Sequence, residues 1–137
     1  MAKHTSLRYT TKRYIMKVFK TRQFADWAKS EAVSDEALLN TIDEMERGLK
    51  GASLGGSIYK KRLSLGRGKS AGARVIVAYI ADDRSFFIYG FTKNEIENIT
   101  AKQEKALKMV AKNLLSYNDA HITSAIKNGL LYEVKKL

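Results

Sequence analysis

Six cations with alternating and loop-borne spacing carry the chemistry in this sequence. Lys60 and Arg62 lie two apart in SIYKKRLSL (residues 57–65), a stretch that reads as a strand. That spacing turns both toward one face, about 7 Å apart, while Lys61 points the other way. Arg67 and Lys69 sit in GRGKSAG (residues 66–72), a flexible connector with three glycines. Arg74 opens the apolar strand RVIVAYIA, and Lys93 follows FFIYGF, whose end supplies Tyr89 and Phe91. Antiparallel pairing would gather these cations around one concave surface. Glycine allows close backbone approach to a phosphate, and aromatic rings at a basic strand end can stack on unpaired bases. The competing reading is a solvated strand face, with lysine blunting an exposed edge.

RNA cleavage would need a base for the 2′-hydroxyl, cations for the charge developing on phosphorus, and an acid for the departing oxygen. Histidine is poorly placed for this: His4 lies near the N-terminus and His121 in an expected last helix. A lysine among arginines is the alternative base, because neighbouring positive charge favours the neutral amine. Glu95 is a second candidate, and equally an ordinary helix-start carboxylate.

Composition narrows the classes. The chain has 137 residues, 45% hydrophobic and 28% charged, with a net charge of +11. One domain of ordinary globular type is expected. Residues 57–93 hold eight basic and two acidic side chains, while residues 23–56 hold three basic and seven acidic. Such a surface attracts polyanions, since neutralising phosphates releases counterions. No cysteine and two histidines make disulfides, thiolate chemistry and a histidine metal site improbable, so neither metal nor cofactor is expected. The longest apolar run, Val75 to Ala81, is far too short for a bilayer. The basic N-terminus lacks an apolar signal core, so the expected compartment is the cytoplasm. A phosphate loop, a nucleophile elbow and a carboxylate dyad are all missing from the sequence. A helix-turn-helix drawn over residues 21–49 would have an acidic second helix, wrong for DNA.

The elements that must position the cations can also be read. Residues 1–15 form a basic arm, and residues 16–137 a single domain. A short strand is expected over residues 16–20. Thr21 and Ser34 are helix N-caps, and Leu38, Ile42, Met45 and Leu49 mark one buried helix face. Glycines at 48, 51, 55 and 56 then open a loop. Strands over 57–65, 74–81 and 86–91 should pair antiparallel, with a turn at Asp82 to Ser85. A helical turn is expected over 94–99. Thr100 with Gln103 forms a capping box for a helix burying Leu107, Val110, Ala111, Leu114 and Leu115. Asn118 caps a last helix through Lys127, and residues 130–134 add an edge strand. The fold class is α+β, a small antiparallel sheet with two N-terminal helices and C-terminal helices packed on it.

FKTRQFADWAKSE (19–31), DEALLNTIDEMERGL (35–49), LGGSIYKKRLSLGRGKSAGAR (54–74) and FFIYGFTKNEIENIT (86–100) together resemble the RelE/HigB-type toxins of bacterial type II toxin–antitoxin modules, in the RelE/ParE superfamily. The resemblance runs from about residue 17 to 134. It implies an antiparallel sheet flanked by helices and a metal-independent endoribonuclease acting on messenger RNA, commonly on the ribosome. It also implies a cognate antitoxin protein as partner. Carried over by position, Lys60 would be the base, Arg62 and Arg74 would stabilise the phosphorane, and Lys93 or Tyr89 would protonate the leaving group. Arg67, Lys69, Lys61 and Phe91 would contact RNA. The arm before Met16 departs from the pattern. Two rival readings are a ParE-like toxin acting on gyrase, for which a cationic phosphate site is superfluous, and a non-catalytic RNA-binding module.

Overall fold

Local caps set the helix starts. The structure is a computed structural model describing residues 16–63, 72–92 and 99–135. The Thr21 hydroxyl accepts the Phe24 N–H at 3.1 Å and starts α1 (Arg22–Ser30). Ser34 does the same for Ala37, starting α2 (Asp35–Glu46), whose first turn carries Asp35 and Glu36 against the positive helix end. Thr100 and Gln103 form the reciprocal capping box of α3 (Ala101–Leu115). Asn118 and His121 do so for α4 (Asp119–Lys127), so His121 has a capping role.

Six strands are described: β1 (Lys17–Thr21), β2 (Ala52–Gly55), β3 (Ile58–Arg62), β4 (Arg74–Ile80), β5 (Arg84–Phe91) and β6 (Leu131–Glu133). They form one sheet in the order β2-β3-β4-β5-β1-β6. All neighbours pair antiparallel except β1 and β5, which run parallel. The fold class is α+β, as expected.

Alternation along the strands separates two cores. Val75, Val77, Tyr79 and Phe87 meet Phe24 and Ala28 of α1 and Leu38, Ile42 and Met45 of α2. Ile58, Ile76, Ala78 and Phe86 meet Ala111 and Leu114 of α3 and Ile122 and Ala125 of α4. The central strands are apolar on both faces because helices cover both.

Four details differ from the sequence reading. Residues 52–55 are an edge strand, not loop: Gly51, at φ +80°, brings the chain so close to β3 that a Cβ there would lie 2.4 Å from the Lys60 carbonyl oxygen. Leu49 is 60% exposed because α2 ends at Glu46, beyond which the helical repeat no longer aims side chains inward. Val110 is 43% exposed, on the outer side of α3. The parallel β1–β5 pairing departs from an all-antiparallel sheet, because short turns impose antiparallel pairing and these two strands are separated by residues 22–83. The arm over residues 1–15 and the helical turn over 94–99, apart from Ile99, lie outside the described residues.

Tyr79 supplies a pH-dependent term. Its phenol is pushed up to about 12, first by burial, then by the nearby charges of Glu46 and Asp82. A raised folded-state value means this stability is complete below pH 10, where the unfolded phenol titrates, and is lost as pH rises toward 12. Tyr79→Phe should therefore lose less stability than the native chain in this window. The difference should reach about 1 kcal/mol by pH 11 in denaturant titrations. Equal slopes for both proteins would show that the phenol is not the group responsible.

Candidate active site

Register, rather than sequence proximity, assembles the cations. Arg62 on β3 lies directly opposite Arg74 on β4, and Arg74 opposite Phe91 on β5. One step along, Lys60 lies opposite Ile76, and Ile76 opposite Tyr89. Ile76 and Phe91 belong to the α3–α4 core, so Lys60, Arg62, Arg74 and Tyr89 share that face. Paired Cβ atoms on neighbouring strands lie roughly 5 Å apart, so Arg62 and Arg74 are near neighbours.

A β-bulge completes the row. Ile76 pairs with Tyr89 but Val77 pairs with Phe87, which leaves Ile88 as an extra residue in β5. The extra residue resets the alternation, so that Phe87 faces α1 and α2 while Tyr89 faces the cations. Tyr89 is half-buried, and its ring packs on Phe91 with centroids 6.0 Å apart.

Burial grades the candidates. Arg62 is exposed, and Lys60 and Arg74 are half-buried. Arg74 donates from Nη1 to the Gly72 carbonyl at 3.0 Å, which holds its side chain back along the strand entry. Phe91 is 3% exposed and belongs to the core beneath the cations, so its ring is not available to stack on a base. Lys61 also departs from its expected role in contacting RNA. It projects to the opposite face and binds the Glu44 carboxylate of α2 at 2.6 Å. Arg67, Lys69, Lys93 and Glu95 lie outside the described residues.

Some cations of the chain are held by carboxylates and others are not. Lys20 is paired with Asp35, Lys61 with Glu44, and Lys108 with Glu104. Among the described residues, Lys60, Arg62 and Arg74 have no carboxylate partner. Like charges directly opposite each other destabilise a sheet. Arg62 and Arg74 are therefore kept together at a cost to stability, and an approaching anion would relieve it. The arrangement can bind a phosphate and stabilise negative charge on it. Among the described residues no His, Cys, Asp and Glu side chains cluster as a metal site, and no helix is long and apolar enough to cross a membrane.

The Lys61–Glu44 pair gives a contrasting expectation. Lys61→Ala should lower stability by about 1–3 kcal/mol, because it removes a charge-assisted bond to a partly buried carboxylate and the packing of the lysine stem. Activity per folded molecule should stay near the native level. A large loss of activity at unchanged melting temperature would return Lys61 to the functional set.

Taken together, the fold and this patch define a small α+β domain with an unneutralised cationic row at one sheet end. A family model described as the RelE toxin of the RelE/RelB toxin–antitoxin system matches residues 16–134. The chain therefore belongs to the RelE toxin family, and membership implies an antitoxin partner. Comparison with curated proteins gives no match.

Proposed function

We propose that this toxin is an endoribonuclease that cleaves messenger RNA on the translating ribosome and so inhibits translation. The observation that supports it is the face shared by Lys60, Arg62 and Arg74, where cations stand together without carboxylate partners among the described residues. Lys60 takes the proton from the 2′-hydroxyl. The freed oxygen attacks the adjacent phosphorus, and Arg62 and Arg74 stabilise the charge that builds on the non-bridging oxygens. The P–O5′ bond breaks, leaving a 2′,3′-cyclic phosphate, and the departing oxygen receives a proton from Tyr89 or Lys93. Arg67 and Lys69 hold the flanking backbone. Lys61 and Phe91 have no part in this scheme. No metal or cofactor enters these steps.

The test uses purified protein with ribosomes translating a defined message, followed by mapping of the new 5′ ends. Codon-phased cuts that vanish in Lys60→Ala and Arg62→Ala are expected. An intact message accompanied by trapped gyrase–DNA complexes would place the protein with ParE-like toxins instead. RNA binding without either outcome would reduce it to a binding module.

A further inference from the structure

We propose that the groove between α3 and β3 is a second RNA-binding element, which takes the single-stranded segment flanking the scissile phosphate. This deepens the nuclease reading by naming how the substrate is held away from the cut.

The groove follows from two spacings. Ile58, Lys60 and Arg62 alternate by two on β3 and so share one face, which spans about 14 Å from Ile58 to Arg62. Lys105, Lys108 and Lys112 recur at i, i+3 and i+7 on α3, forming one flank of that helix about 10 Å long. The two meet at the β2–β3 turn. There Gly56, Ile58, Lys108, Lys112, Leu115 and Ser116 line an open cleft of about 490 Å³. Lys108 reaches the turn itself, with its Nζ 3.9 Å from where a Cβ on Gly55 would stand. From this cleft β3 leads directly to Lys60 and Arg62.

The lining fits an extended RNA strand. Lysines on the helix wall suit phosphates, and the partly exposed Leu115 and the glycine turn suit the flat, less polar faces of sugar and base, above a floor closed by the buried Ile58. Lys105 and Lys112 have no carboxylate partner among the described residues. Lys108 is tied to Glu104 at 3.0 Å in a solvent-facing i, i+4 pair, an interaction weak enough to yield to a phosphate. The opposite face of the sheet carries the acidic α2 and would repel the same strand. An acidic protein segment would satisfy the same cations, but RNA is favoured because the groove runs on to Lys60 and Arg62, where the proposed reaction places the scissile phosphate.

The experiment measures binding rather than cleavage. Fluorescent 2′-O-methyl RNAs of three and twelve nucleotides lack the attacking hydroxyl, and their affinities are read by anisotropy over a salt series. The twelve-mer should bind the native protein more tightly than the three-mer. Lys108→Ala/Lys112→Ala should remove about tenfold of that gain and reduce the salt slope by about 1.4, for two single-strand phosphate contacts. Lys127→Ala, the same charge change on α4, should leave both unchanged. Equal affinity for the two lengths, an equal loss in Lys127→Ala, or equal competition by polyglutamate of matched charge would overturn the proposal. Length-dependent binding together with an uncut message in the translating-ribosome assay would sink the nuclease reading and leave the groove standing. Cleavage with length-independent binding would sink the groove alone.

Discussion

Arg62→Ala is expected to slow message cleavage by about 10²–10³-fold while leaving the protein at least as stable as before. The rate loss is the usual effect of removing one aimed donor from developing negative charge, about 3–4 kcal/mol of barrier. The stability result is the sharper half. Arg62 is exposed, lies opposite Arg74, and has no carboxylate partner among the described residues, so its removal relieves a like-charge pair. An ordinary structural arginine would behave in the opposite way. Arg74→Ala should give a similar rate loss with a small stability cost, because its bond to the Gly72 carbonyl goes too. Paired measurements of single-turnover rate and melting temperature decide the matter. A fall in melting temperature that matches the fall in rate would make Arg62 structural.

Gly90→Ala should destabilise the protein by about 3 kcal/mol, at the upper end for overpacking. A Cβ at Gly90 would lie 2.4–2.6 Å from three ring atoms of Trp27, the indole that α1 lays flat on β5. That ring has little room to retreat, since Phe24 packs against it at 5.4 Å between centroids and Phe24 in turn packs on Phe87. The displacement should also shift the fluorescence of this single tryptophan. Gly90 stands between Tyr89 and Phe91, so a displaced β5 would tilt Tyr89 and lower activity as a secondary effect. Denaturant midpoints check the first claim, and native stability in Gly90→Ala would mean that α1 can lift without penalty.

The two variants show what can be read along the chain and what cannot. The helix starts at Thr21, Ser34, Thr100 and Asn118 were legible because a cap bonds within three residues. The opposed directions of Lys60 and Lys61 were legible because pleating is local. The bulge at Ile88 and the closeness of Gly90 to Trp27 left no such mark. Each depends on a partner strand or helix that the local sequence does not name. Phe91 shows the same limit: an aromatic at a strand end suits a core or a base equally until its neighbours are in place.

By itself the amino-acid order determined the α+β class, the helix starts and the cationic character of residues 57–93, all of which follow from short-range periodicity, capping and charge. Tertiary structure alone decided that Arg62 faces Arg74, that Lys61 is neutralised by Glu44, that Phe91 is buried, and that Lys108 and Lys112 of α3 line a cleft with Gly56 and Ile58. Those outcomes depend on strand register and on which helix covers which face. Both are set by the joint burial of apolar surface from distant segments, a cooperative property that no local pattern carries.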